Sequence, residues 1–250
     1  IFLLDDLKDF HVNRVFVEGA LVAEEGKYLP EIKKCDISSV KGSVIVKDFS
    51  KEKFKMNLKS NKVNVIKILP GGVVTAKDTA EIELDANGEF VRNPEVDLVK
   101  VAVVERHQGT GNVACGFLKG YGIKEGAVAL SVAHDSHNII VVGVNDEEME
   151  FAVKSLIKQE GGIVLVKKGK VIESMPMPIA GLMSDQSGEW VDQKLTDIHE
   201  KAYEELGICG DVEPVMTLCF MSLAVIPEIK LTDMGLFDVT TFSFIPVEAE

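Results

Sequence analysis

The stretch GAVALSVAHDSHNIIVVG, residues 126–143, sets two apolar runs on either side of a short polar junction. Ala127 to Ala133 and Asn138 to Val144 are strand-sized, and His134-Asp135-Ser136-His137 between them has turn chemistry, so the stretch reads as two strands meeting at a turn. Immediately downstream, Asn145-x-x-Glu148 has the form of a capping box. Met149, Ala152, Val153, Leu156 and Ile157 then recur on one helical face until Gly161-Gly162, which predicts a helix over 146–160. Ile163 to Val166 and Val171 to Met175, joined through Lys168-Gly169, predict a hairpin. A second amphipathic helix follows, with Val191, Leu195, Ile198 and Ala202 inward and Gly207 closing it. Pro214 to Ile226 is apolar nearly all round, a buried helix or a strand that periodicity does not separate.

Upstream, Val63 to Leu69, Val73-Val74, Ala80 to Leu84 and Leu98 to Val104 carry strand signals, with turn residues at Pro70-Gly71-Gly72 and Asn87-Gly88. Ile1 to Leu4, Val12 to Val17 and Leu21 to Ala23, joined through Glu18-Gly19-Ala20, form a small β-hairpin edge. So short a set buries too little to stand alone and should complete a sheet whose other strands lie elsewhere. The expected class is α+β: a mixed or antiparallel β-sheet with flanking helices, preceded by that hairpin segment. Residues 30–62 are lysine-rich and only briefly apolar, so they read as a connection between 1–29 and a domain at 63–250. Ile1 is not Met and sits inside a strand pattern, so the chain is expected to be part of something longer.

Hydrophobic residues at 46% and charged residues at 27% are the balance of a chain with enough apolar surface for a core. A net charge of −13 argues against nucleic acid, whose binders need clustered cations. Lys51, Lys53, Lys55, Lys59 and Lys62 are interrupted by Glu52 and have no interleaved aromatic set, so they read as a solvated face. No window nears the roughly 18 apolar residues a membrane span needs, and Ile1-Phe2-Leu3-Leu4 lacks the basic start of a signal peptide; a cytoplasmic setting is the default expectation. Cys35, Cys115, Cys209 and Cys219 have neither CxxC pairing nor a short-loop framework, and read as buried or free thiols.

Metal hydrolases need several His, Asp, Glu or Cys ligands with one position open for water. This chain has five histidines and no HxH, HExxH or HxE-plus-PCxxC pattern, so no metal site is expected within it. Gly109-Thr110-Gly111 through Gly116 lacks GxGxxG and GK[ST], and its glycines read as turn formers. The densest polar placement is His134, Asp135, Ser136, His137 and Asn138. These groups could orient a substrate; alternatively, Asp135 and Ser136 form an Asx-type turn while the imidazoles satisfy buried backbone groups. Glu105-Arg106-His107 also ends an apolar strand, either as a site element or as an ion pair with a capping His. Ser184 or Asp185, in Met183-Ser184-Asp185, reads most simply as a helix cap.

VVERHQGTGN (103–112), residues 126–143, PMPIAGLMSD (176–185) and MTLCFMSLAVIPEIKLTDMGLFDV (216–239) together resemble the C-terminal part of the adenine deaminase family, of the amidohydrolase superfamily. The resemblance covers nearly the whole chain and is weakest over 30–62; residues 1–10 resemble the strand that re-enters the family's small β domain. It departs at Gln108, where a second histidine is expected. It implies that the full-length protein acts in purine salvage, hydrolysing adenine to hypoxanthine and ammonia with a water activated by a divalent metal, manganese, iron or zinc. That metal would be bound in a (β/α)₈ barrel preceding Ile1, so no metal ligand carries over to this chain. What carries over are the segments at 105–107, 134–138 and 183–185: His134, Asp135 and His137 as candidates for chemistry, and Glu105, Arg106, His107, Asn138, Ser184 and Asp185 as candidates for holding substrate or supporting its contacts. The chain alone is expected to be inactive and to serve stability, assembly or active-site closure, with adenine as the full-length enzyme's partner and a homo-oligomeric assembly. The competing reading is a stand-alone, non-catalytic binding or interaction module.

Overall fold

Ala127–Leu130 and Ile139–Gly143 lie side by side and antiparallel, with Ala127 opposite Gly143 and Leu130 opposite Ile140. Both strands are buried throughout, and alternate side chains enter different cores. Val128, Leu130, Ile140 and Val142 face one, and Ala127, Ala129, Ile139 and Val141 the other. A sheet covered on both faces has no wet side to demand polar residues at every second position, which is why the two runs are apolar without interruption.

The structure, a computed structural model, describes residues 1–249, and the chain divides into two units, Ile1–Ser39 and Val40–Glu250. The first is an antiparallel sheet of β1 (Phe2–Leu4), β2 (Val12–Val17), β3 (Ala20–Glu24) and β4 (Lys27–Tyr28) in that order. Glu18 and Gly19 both take positive φ, 50° and 84°, which is what a two-residue β2–β3 turn requires. No described residue of this unit is fully buried. The expected connection at 30–62 is shared between the units, and its later part adds Phe54, fully buried, and partly buried Val44, Val46 and Phe49 to a core of the second.

The second unit contains β5 (Lys62–Ile68), β6 (Thr75–Glu81), a two-residue pair β7 (Glu83–Leu84) and β8 (Phe90–Val91), then β9 (Leu98–Val104), β10 (Val113–Lys119), β11 (Ala127–Leu130) and β12 (Ile139–Gly143). Helix α1 (Asp146–Lys158) follows, then β13 (Gly162–Lys167), β14 (Lys170–Pro176), α2 (Gly188–Glu204) and a single turn α3 (Met216–Cys219). β15 (Ile229–Thr232), β16 (Gly235–Asp238) and β17 (Ser243–Ile245) form a three-stranded antiparallel sheet. The main sheet has eight strands in the order β14-β13-β11-β12-β9-β10-β5-β6. Only β10 and β5 run parallel within it, so the sheet is mixed and mostly antiparallel, as the sequence predicts.

Helix α1 buries Met149, Ala152, Val153 and Leu156 on one face of this sheet, the residues that its spacing selects, at roughly 1.5–3 kcal/mol for each large side chain. Asn145 caps it by accepting the Glu148 N–H at 2.8 Å. The reciprocal half of the capping box is not made: the Glu148 carboxylate accepts instead from Gly169 N–H, in the β13–β14 turn. On the other face, α2 buries Ile198 and Ala202, with α3 and the segment around it completing that core.

Two sequence expectations are corrected. The cap of α2 is Ser187, whose hydroxyl accepts from Trp190 N–H, rather than Ser184 or Asp185. Gly116 is not a turn residue but lies in mid-β10, where a Cβ would stand 3.5 Å from Leu231 of the sheet packed upon it. Strands β10 and β15–β17 carry no clear strand pattern in the sequence.

Candidate functional site

Register decides which segments meet. Val104 of β9 lies opposite Ile139 of β12, Leu130 of β11 opposite Ile163 of β13, and Gly162 opposite Pro176 of β14. The chain therefore leaves or enters the sheet at one and the same end at Glu105, at 131–138 and at Met177. The three motif-bearing segments, far apart in sequence, converge there.

Glu105 is 6% exposed, and its carboxylate accepts from the backbone N–H of His107 (2.5 Å), Gln108 (2.8 Å) and Thr110 (2.9 Å) and from the Thr110 hydroxyl (3.0 Å). Burial would raise its pKa, but these donors outweigh it and hold the carboxyl at about 2. Glu105 thus folds the 105–110 turn around its anion; it forms no ion pair with Arg106. The turn presents His107, exposed, whose ring Nε2 lies 2.7 Å from the Ser136 carbonyl. A carbonyl only accepts, so Nε2 carries the proton.

Arg106 is 1% exposed. Its Nε donates to the His137 carbonyl at 2.5 Å, Nη2 donates to the Ala180 carbonyl at 3.2 Å, and its own N–H donates to Asn138 Oδ1 at 3.3 Å. Asn138 is held in turn by Asp233 at 3.2 Å, from the β15–β16 turn. His137 takes a left-handed backbone, φ 52°, and its N–H donates to Ala133 O at 2.6 Å. Burial, with His134 and Arg106 alongside, lowers the His137 pKa, which leaves the ring neutral at neutral pH. Its Nδ1 is buried without a partner. His134, anchored through its N–H to Cys219 O, packs its ring against Phe220, centroids 4.8 Å apart, and lies 5.8 Å from the His137 ring. Asp135 is exposed, its carboxylate 3.9 Å from His134 Nδ1.

The imidazoles of His134 and His137 do not satisfy backbone groups, as one of the two readings of 134–138 has it; the ring of His107 does, at the Ser136 carbonyl. The third segment is tied in through its turn: Ile179 pairs with Met183, Ala180 accepts from Arg106, and the Gly181 carbonyl accepts from Ser131 at 2.6 Å. Ser184 and Asp185 bond instead to Gln186, and Asp185 also faces Lys41 at 3.8 Å. Sequence reasoning missed Gly181, Ser131, Asp233 and Phe220. All four stand in the quoted stretches, Gly181 in 176–185, Ser131 in 126–143, and Phe220 and Asp233 in 216–239, but no motif within those stretches singles them out.

Among the described residues no group of three or more His, Cys, Asp or Glu is arranged to hold a metal ion. A cavity of about 580 Å³ lies at the other end of the sheet, beside Gly143 and the start of α1. Three of its four cations are paired, Lys100 with Asp146 at 2.8 Å, Lys51 with Glu147 at 2.8 Å, and Lys55 with Glu52, while Arg92 donates Nη2 to the Ile123 carbonyl at 3.0 Å and keeps Nε buried without a partner. The sheet end that gathers His107, His134 and His137 is the better candidate because the His134 and His137 ring nitrogens are uncommitted to protein hydrogen bonds. Among the described residues no helix is long and apolar enough to cross a membrane.

The profile of the adenine deaminase C-terminal domain matches residues 72–243. Adenine deaminase 2 of Desulfotalea psychrophila is 65% identical over 249 residues, covering 100% of this chain and 43% of that protein. Adenine deaminase of Ligilactobacillus salivarius is 45% identical over 99% of this chain, and adenine deaminase 2 of Carboxydothermus hydrogenoformans 44% over 99%, each again covering 43% of the relative. The chain thus spans less than half the length of these curated relatives, and within that span it belongs to the adenine deaminase C-terminal domain family.

Proposed function

We propose that this chain is the C-terminal portion of an adenine deaminase whose full-length form adds water at C6 of adenine, releases the exocyclic amine as ammonia and leaves hypoxanthine. The names of the relatives support the reaction. The metal that activates the water, manganese, iron or zinc, belongs on this reading to the part of the relatives' length that this chain does not cover. The first unit, with no fully buried residue, is read as the end of a small β domain that needs strands from that same part. A cytoplasmic homo-oligomer is part of the reading and is carried by the family resemblance.

The single observation that supports a share of this chain in the reaction is the sheet-end cluster. It sets two imidazoles, His134 and His137, at a partly exposed rim, one of them neutral and fixed by a buried arginine. A neutral ring held in place can hydrogen-bond the edge of a purine or close a site against water. The test is kcat/KM for conversion of adenine to hypoxanthine in the full-length protein carrying His134→Ala or His137→Asn, asparagine being chosen because it tolerates the left-handed backbone. A fall of about tenfold or more is expected; unchanged values in both would confine these rings to structure. Hydrolysis of adenine by residues 1–250 alone would place the chemistry in this chain and sink the division of labour.

A further inference from the structure

Arg106 is 1% exposed, yet no carboxylate among the described residues offsets its charge, and burial alone pushes its pKa down. A buried cation without an anion is costly, and an apolar side chain of similar volume would occupy the same space more cheaply. What an apolar residue or a lysine lacks is the planar fork, which reaches two carbonyls lying in different directions. Here those carbonyls belong to two loops: His137, 2.5 Å from Nε, and Ala180, 3.2 Å from Nη2. Gly181 lets the second loop close on the flat of the guanidinium. A Cβ there would stand 2.7 Å from Nη1 and 3.0 Å from Cζ, and its φ of 71° also favours glycine. The left-handed turn at His137 is thus pinned at its carbonyl by Arg106 and at its N–H by Ala133, while the ring keeps Nδ1 without a protein partner.

We propose that Arg106 is the positioning residue of the sheet-end site: it acts through His137, fixing the angle at which that imidazole meets the substrate, and Gly181 is the residue that makes room for it. The inference rests on the adenine deaminase reading above and names the residue on which that site's geometry turns. Arg106 itself touches no substrate in this scheme, since its side chain is sealed beneath the loop it holds.

The test is a double-mutant cycle in the full-length protein, with Arg106→Lys, His137→Asn and the pair, read as kcat/KM for adenine alongside the thermal midpoint. Lysine keeps the charge but reaches one carbonyl at a time. Arg106→Lys is expected to lower kcat/KM about tenfold when His137 is present, no more than the loss of the ring that it positions. In the His137→Asn background it is expected to lower it by less than about threefold, because the group it positions is gone. Equal losses in the two backgrounds, or an Arg106→Lys enzyme within about twofold of wild type, would overturn the proposal. If Arg106→Lys does not fold, Gly181→Ala, which drives a methyl group against Nη1, takes its place in the cycle with the same expected and overturning results. A wild-type full-length protein that leaves adenine unchanged refutes the proposed function instead, so the two failures are distinguishable.

Discussion

Replacing Glu105 by glutamine removes the anion around which the 105–110 turn is folded. The carboxyl pKa falls from 4.5 to about 2 in the folded chain, under four hydrogen bonds that overcome the opposing effect of burial at 6% exposure. At about 1.4 kcal/mol for each tenfold change in proton affinity, that difference corresponds to about 3 kcal/mol of stability at neutral pH. Because the folded pKa is the depressed one, the unfolded chain binds the proton more tightly. The stabilisation is therefore fully present above the unfolded value of 4.5 and is lost as pH falls toward about 2. Glutamine keeps one acceptor oxygen but turns an amide donor toward N–H groups that need acceptors, so Glu105→Gln should cost about 2–3 kcal/mol at pH 7. Urea unfolding of wild type and variant between pH 7 and pH 3 checks this, and the gap between the two should narrow below about pH 4.5. A gap under about 0.5 kcal/mol at pH 7, or one that does not change with pH, would show that the turn does not depend on the charge.

Asn145→Ala removes the side-chain oxygen that caps α1 and should lower stability by about 1 kcal/mol in urea titration, with Asn145→Asp largely restoring it. Lys100, 5% exposed, donates to Phe54 O at 3.0 Å and to Asp146 at 2.8 Å. Lys100→Met should cost about 2 kcal/mol, less than for a fully buried pair, because Asp146 is partly exposed and sits in the favourable field of the α1 N-terminus. The further change Asp146→Asn should recover part of that loss, again measured by urea unfolding.

The elements legible in the sequence are those whose own residues settle the matter. Ile139–Gly143 is buried on both faces and β-branched along most of its length, so no competing period exists. The α1 core face repeats at helical spacing and is closed by a cap and glycines, and the helix runs Asp146–Lys158. β10 is illegible because Cys115-Gly116 breaks its apolar run, and the leucines that cover it, Leu231 and Leu236, lie more than a hundred positions away. The α2 cap was misplaced because Ser184, Asp185 and Ser187 are all competent caps, and only the path of the chain after Gly181 selects Ser187.

The site follows the same division. Polar groups crowded at 134–138 and at 105–107 are visible in the sequence, but that they meet at one sheet end depends on Val104 lying opposite Ile139, a pairing that no local pattern encodes. Once that register is set, the need for Arg106 follows from physics. The 131–138 loop leaves a sheet sealed on both faces, so its backbone carbonyls need donors that a packed core does not supply. Glu105 spends its anion on its own turn, which frees Arg106 from any ion pair and turns the guanidinium toward the carbonyls of His137 and Ala180. A glutamate and an arginine adjacent in sequence therefore do separate jobs, each organising one of the loops that carry the histidines. An ion pair between them would have left both loops without their organising groups.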